Sequence, residues 1–234
     1  MTLAARLKRL RGSLTDSAGT IVFGMEDGTV SIFGLIFGVA ATTTNSGTVL
    51  IAGASGAVAA AVSMMAGTFL DAETTGDETK AKHAALQSAL AADPAAITAA
   101  LPGQLAAAGL TQRQSVALTG VVMRDREALD GLLLALHGSP EAPTSPWQQA
   151  IWMLVADFAA AAVPILPFVF LAVAEARVVS AAMTIALLIG LGIGRARIAG
   201  HNVVRTVVET VAIGIAAALA GVAISVLIDR FFTG

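Results

Sequence analysis

Long apolar blocks separated by short polar or charged segments dominate this chain. No charged residue occurs between Gly28 and Leu70, and a polar cluster at residues 42–46 divides that stretch into two blocks. A helix needs about 20 consecutive apolar residues to cross the hydrocarbon core of a bilayer, and each block is near or above that length. The pattern predicts five transmembrane helices, at residues 20–41, 49–70, 147–174, 178–193 and 203–228.

Residues 71–146 depart from this pattern because they hold most of the remaining charges. Their apolar residues recur at helical spacing, with Asp93 and Thr111 as expected helix start signals. The predicted short helices are residues 79–92, 94–108 and 111–137. The sequence therefore predicts an all-α membrane protein of five transmembrane helices, with a small helical domain inserted between the second and the third.

The composition supports the membrane class and excludes several others. Apolar residues make up 56% of the chain, charged residues 13%, and the mean hydropathy is +0.80, whereas about 25% of a soluble domain is charged. The net charge of -2, without a basic stripe, predicts no nucleic-acid partner. Without cysteine there is no thiolate metal site. Without a phosphate-binding loop, HExxH or GxSxG motif, we predict a protein that is not an enzyme and has no permanently bound cofactor.

Lysine and arginine residues concentrate on one side of the predicted spans. The arm at residues 1–19, the insert and a predicted loop at residues 194–202 hold nearly all of them, and Arg177 and Arg230 lie opposite. Cytoplasmic loops carry the excess of positive charge, which places residues 1–19 and the insert in the cytosol and the C-terminus outside. The expected order is a cytosolic arm (1–19), membrane helices (20–70), a cytosolic domain (71–146) and membrane helices (147–234). An uncleaved N-terminus and the chain length favour a bacterial plasma membrane.

Carboxylates inside the predicted spans are candidate functional groups, because an ionisable side chain is costly within the bilayer. Asp27 is able to bind a divalent cation or to exchange a proton. The alternative is an interfacial charge that the helix dipole favours. Glu26 beside it is a candidate for proton coupling. Gly28, Gly34 and Gly38 follow on the same helix and predict the close approach of a neighbouring helix.

Three further carboxylates lie in or beside the apolar blocks. Asp157 has no lysine or arginine nearby in its own helix, so it is either a proton carrier or a protonated or hydrogen-bonded carboxyl group at a helix contact. Asp71 closes the predicted second helix. Glu209 follows Arg205 by four residues, which favours an ion pair on one helix face.

Methionine and proline residues in the spans also bear on a transport path. Met64 and Met65 offer thioether ligands near the end of the second helix, although methionine in an apolar helix usually serves packing. Pro164 and Pro167 lack backbone donors, so they predict a kink in the third helix and carbonyl groups that neighbouring helices must satisfy.

Several motifs resemble one family in their order and spacing. They are FGMEDGTVSIFGLIFGVA in the first span, GAVAAAVSMMAGTFLDAE in the second, PILPF in the third, and GIGRARIAGHNVVRTVVETVAIGIAAALAG towards the end of the chain. With a helical insert after the second span, this set resembles the vacuolar iron transporter family, which has nodulin-like and bacterial members. The resemblance implies a homodimer in the lipid bilayer, with a metal path near its two-fold axis and a cytosolic metal-collecting domain.

The resemblance also assigns roles to individual residues. Asp27 matches the aspartate of the family's DG motif on the translocation path, and Met64 matches the methionine of its SM-x-x-G motif. The string VVMRDREAL looks like the family's methionine-and-glutamate helix. It implies that Met123 and Glu127 are metal ligands one helical turn apart.

The chain departs from the family pattern at several ligand positions. Gly56 replaces the glutamate two turns before the methionine of the SM motif, and Asp157 stands where the family has an aromatic residue. We hypothesise that Asp157 partly replaces the lost carboxylate. The family's cytosolic glutamates fall near Leu86, Ala89, Ile97 and Ala100. Weaker metal candidates upstream are Asp71, Glu73 and Glu78, and Asp77 lies among them.

Two functions follow as hypotheses. The first is export of Fe²⁺ or Mn²⁺ from the cytosol in exchange for protons, with these divalent ions as transported substrate. The second is a divergent, non-transporting membrane protein whose cytosolic domain binds a protein partner. Metal-dependent flux separates the two.

Overall fold

The computed structural model describes residues 12–137 and 145–232, and helices are the only regular elements in these ranges. Residues 12–16 are helical and precede the first long helix. The remaining helices are α1 (Ala18–Thr42), α2 (Ser46–Ala92), α3 (Pro94–Ala107), α4 (Gln112–Val122), α5 (Arg126–His137), α6 (Pro146–Ile165), α7 (Pro167–Phe170), α8 (Val173–Ala199) and α9 (Val203–Phe232). The basic residues Arg6, Lys8, Arg9 and Arg11 of the predicted arm lie outside the described residues.

Five of these helices, α1, α2, α6, α8 and α9, are long and apolar enough to cross a membrane. This confirms the predicted all-α class and the five spans. The described residues form two compact units, the bundle (residues 12–70 and 145–232) and the insert unit (residues 71–137).

The ends of the second and third spans differ from the prediction. The second helix does not close at Asp71, because α2 continues without a break to Ala92. The third block does not continue to residue 174 as a kinked helix. Instead α6 ends at Ile165, and the short α7 begins at Pro167. Proline has no backbone N–H, so Pro167 cannot donate the next hydrogen bond of the helix. The Pro164 carbonyl accepts a hydrogen bond of 2.8 Å from the Ser180 hydroxyl of α8, so a neighbouring helix satisfies it as expected.

Helix α1 packs tightly against α6 through two glycines. A Cβ atom added at Gly24 would lie 2.7 Å from the Met153 sulfur. One added at Gly28 would collide with the Asp157 backbone carbonyl and lie 2.7 Å from its Oδ1 atom. Glycine at both positions therefore brings the Asp157 carboxyl directly against α1.

A second pair of glycines faces α9. A Cβ atom added at Gly34 would lie 2.9 Å from the Ala217 carbonyl oxygen, and one added at Gly38 would lie 2.7 Å from the Gly221 carbonyl oxygen. The predicted close approach at Gly28, Gly34 and Gly38 is thus confirmed. Helix α1 lies between α6 and α9, with its buried side chains Ile32 and Ile36 in the apolar core of the bundle.

The insert unit has its own apolar core, formed by Leu90, Leu101, Leu105, Val122, Leu129 and Leu133. Asp93 and Thr111 cap α3 and α4 as predicted, since each side chain accepts a hydrogen bond from a first-turn backbone N–H. The predicted single helix at residues 111–137 is wrong. The Asp125 carboxylate accepts a hydrogen bond from the Ala128 N–H at 3.3 Å, which starts a new helix after Met123 has ended α4. The predicted helix at residues 79–92 is the end of α2.

Candidate functional site

A cavity of about 450 Å³ lies within the bundle, between the first half of α1, the end of α8 and the first half of α9. Most of its wall is apolar. The polar groups that line it are Glu26, Asp27, Arg195 and Thr210. The cavity therefore concentrates two carboxylates and one guanidinium between apolar walls.

Glu26 has partners on two other helices. Nη1 of Arg195 donates to Oε2 of Glu26 at 3.3 Å, and the Thr210 hydroxyl donates to Oε1 at 3.2 Å. The Glu26 side chain is 13% exposed and that of Arg195 is 46% exposed. Glu26 is thus fixed inside the cavity by a buried hydroxyl, whereas its cationic partner is a partly exposed side chain.

The end of α8 explains how Arg195 reaches the cavity. The predicted loop at residues 194–202 is wrong, because α8 continues to Ala199. Gly200 ends the helix with a φ of 66°, a left-handed conformation that glycine adopts without a steric penalty. The Ala196 carbonyl accepts hydrogen bonds from the N–H groups of Gly200 and His201. Arg195 therefore projects from a helix rather than from a loop.

Asp27 is half-buried beside Glu26 and also lines the cavity. Across residues 12–137 and 145–232, no hydrogen bond or ion pair reaches its carboxylate. Because Arg195 and Thr210 engage Glu26, Asp27 is the carboxylate of this cavity that remains available to an incoming cation.

Asp157 of α6 is completely buried, and both of its carboxyl oxygens lack a hydrogen-bond partner among the described residues. A buried carboxyl group without a hydrogen-bond partner at a helix contact fits both a proton carrier and a protonated structural group. Asp157 lies against Gly28, the residue after Asp27. The bundle thus brings two of the predicted site residues together.

Met64 and Met65 are half-buried on α2. The described lining of the cavity comes from α1, α8 and α9, so neither methionine belongs to it. At Gly56, where the family has glutamate, an added Cβ atom would meet the Leu35 side chain of α1 and lie 3.4 Å from that of Ile32. Apolar side chains therefore occupy the space around the missing carboxylate.

The predicted candidates of the insert unit do not converge. Asp71 and Glu73 are exposed, Glu78 lies 4.0 Å from Lys82, and Met123 is 54% exposed. Met123 ends α4, so it does not share a helix with residue 127, and the Glu127 side chain lies outside what the structure describes. No group of three or more histidine, aspartate or glutamate side chains with metal-binding spacing occurs within the described residues.

The sequence matches the model of the VIT family over residues 18–226, which is nearly the whole chain. The chain belongs to the VIT family. This confirms the resemblance to the vacuolar iron transporters, and membership indicates transport of metal ions across a membrane. VIT-family proteins are transporters rather than enzymes. No curated protein shows a significant match to this sequence.

Sequence reasoning missed Arg195 and Thr210. The predicted loop at residues 194–202 includes Arg195, although Gly200 is a helix-ending signal that favours a helix extending past it. Thr210 is 3% exposed in an apolar helix and has no sequence signal beyond its place one residue after Glu209. The predicted ion pair between Arg205 and Glu209 is confirmed, with Nε to Oε1 at 2.8 Å.

Proposed function

We propose that this VIT-family protein exports Fe²⁺ or Mn²⁺ from the cytosol in exchange for protons. The observation that carries the proposal is the unpartnered carboxylate of Asp27 in a cavity of the membrane bundle. Carboxylate oxygen is a suitable ligand for manganese and for divalent iron. An ionisable group in this position is expected to mark an ion pathway.

Proton exchange is assigned to Asp157 together with Asp27. Asp157 packs against Gly28, the residue next to Asp27. Two carboxyl groups that share one site disfavour simultaneous ionisation, and a divalent cation beside them removes that penalty. Arrival of the metal ion at Asp27 therefore favours release of a proton from the pair. Departure of the ion favours uptake of a proton, which couples the two movements.

Met64, Met123 and Glu127 complete the proposal as further metal ligands that the family resemblance assigns. We propose a homodimer in a bacterial plasma membrane, in which residues 1–19 and 71–146 face the cytosol and the C-terminus lies outside.

Flux in proteoliposomes tests the proposal. The purified protein is reconstituted, Mn²⁺ or Fe²⁺ is added outside, and metal entry and luminal pH are followed with two dyes. The wild-type protein is expected to move metal and protons in opposite directions. Asp27→Asn is expected to lower metal flux at least about tenfold through the loss of one ligand charge. Asp16→Asn, at an exposed carboxylate, is the matched control. Absence of metal-dependent flux in the wild-type protein would reject export and favour the non-transporting alternative.

A further inference from the structure

We propose that Arg195 is a tethered cation that occupies the second carboxylate of the cavity, so that a divalent metal ion must displace its guanidinium from Glu26. This inference rests on the proposed function, because it assigns a role in metal binding to the same cavity. It makes Arg195 a positioning residue that sets the affinity for the transported ion.

The geometry allows Arg195 to leave while Glu26 stays in place. One N–O contact of 3.3 Å joins the two side chains, rather than the two parallel hydrogen bonds that make arginine–carboxylate pairs strong. Arg195 is 46% exposed, so the surrounding side chains leave its guanidinium room to turn away from Glu26. The Thr210 hydroxyl is buried and bonds to the other Glu26 oxygen, which keeps the carboxylate directed into the cavity.

Charge balance favours this displacement when the entering ion is divalent. With Arg195 engaged and both carboxylates ionised, the charged side chains that line the cavity, Glu26, Asp27 and Arg195, carry one net negative charge, and Asp157 on α6 is not part of this lining. A divalent cation added to that set leaves an excess positive charge between apolar walls, which is unfavourable in a medium of low dielectric constant. With Arg195 turned away, the two carboxylates neutralise the ion. Glu26 and Asp27 are adjacent on α1 and line the same cavity, so both are within the site.

Mn²⁺ binding to the purified full-length protein tests the inference. The free-ion electron paramagnetic resonance signal gives the affinity of the wild-type protein and of Arg195→Gln, Arg195→Lys, Glu26→Gln and the double variant Glu26→Gln/Arg195→Gln. Arg195→Gln is expected to bind Mn²⁺ about tenfold more tightly, because one competing positive charge is gone. Arg195→Lys, which retains the charge, is expected to restore the wild-type affinity to within about threefold.

The double variant separates competition for Glu26 from simple charge repulsion. If Arg195 competes for Glu26, its removal from the Glu26→Gln protein is expected to change the affinity by less than about threefold. An equal gain in both backgrounds would overturn the inference, as would an Arg195→Gln protein that elutes as a single species but binds Mn²⁺ no more tightly. Flux of the wild-type protein reports on export separately. If that flux is absent, the Mn²⁺ affinities still decide the role of Arg195.

Discussion

The bundle and the insert unit use their charged residues differently. In the bundle, Glu26 is joined to Arg195 and Thr210, which lie on two other helices far along the chain. In the insert unit, Lys80 lies 2.9 Å from Asp77, three residues away on the same helix, and both side chains are at least two-thirds exposed. Polar contacts between distant parts of the chain are able to build a site between helices. Ion pairs between exposed neighbours on one helix contribute little to the stability of the fold. The comparison favours the bundle over the insert unit as the location of the proposed metal site.

The largest effect is expected where α1 meets α6. Gly28→Ala places a Cβ atom against the Asp157 backbone carbonyl, which cannot rotate away. Overpacking of this kind costs about 1–3 kcal/mol. It is expected to lower the melting temperature in detergent by roughly 5 °C and to displace the Asp157 carboxyl. Gly190→Ala is the matched control, because nothing lies within 4 Å of an added Cβ atom there. Equal melting temperatures for the two variants would contradict the tight helix contact.

Replacement of the buried carboxyl group is expected to affect transport more than folding. Asp157→Asn keeps the shape of the side chain but cannot carry a proton, so metal flux is expected to fall about tenfold and to lose its dependence on pH. The melting temperature is expected to stay near that of the wild-type protein, because the carboxyl group has no hydrogen-bond partner to lose. The effect on transport is measured as metal and proton flux in the same proteoliposomes, with Asp16→Asn as the control. An unchanged rate and pH profile would remove Asp157 from the coupling mechanism.

Periodicity and block length predicted the five spans because a transmembrane helix must satisfy its own backbone and face lipid with apolar side chains. These are local requirements, and the sequence carries them directly. The ends of α6 and α8 depend on single residues, namely Pro167 and Gly200, whose effects compete with the apolar pattern around them. The break before α5 likewise depends on one capping carboxylate, Asp125.

The candidate site was predictable only in part, and the reason differs from that for the helix ends. A carboxylate such as Asp27 is conspicuous in an apolar helix whatever surrounds it. The partners of Glu26 are not conspicuous, because Arg195 looks like an ordinary interfacial charge and Thr210 like a small packing residue. Their roles arise from the packing of α8 and α9 beside α1, which brings together residues more than 160 positions apart.

A smaller effect is expected from the exposed carboxylates of the insert unit. The combined variant Glu73→Gln/Asp77→Asn/Glu78→Gln removes three charges that lie in solvent or in local pairs with lysine. The KM for Mn²⁺ flux is expected to change less than about threefold, because screened charges on one exposed helix attract an ion only weakly. Glu26→Gln, with one substitution in the cavity, is expected to change the KM for Mn²⁺ flux more than this triple variant does. A tenfold rise for the triple variant would instead place metal capture in the insert unit.

The smallest effect is expected for the ion pair of Arg205 and Glu209. Its 2.8 Å contact is shorter than that between Arg195 and Glu26, yet the two side chains are 81% and 50% exposed and belong to one helix. Such exposed pairs within one helix contribute little to stability, because water and salt screen the two charges. Arg205→Gln/Glu209→Gln is therefore expected to shift the melting temperature by less than about 2 °C and to leave Mn²⁺ affinity unchanged. A shift as large as that of Gly28→Ala would mean that this face of α9 is covered in the assembled protein, as it would be if a second copy packed against it.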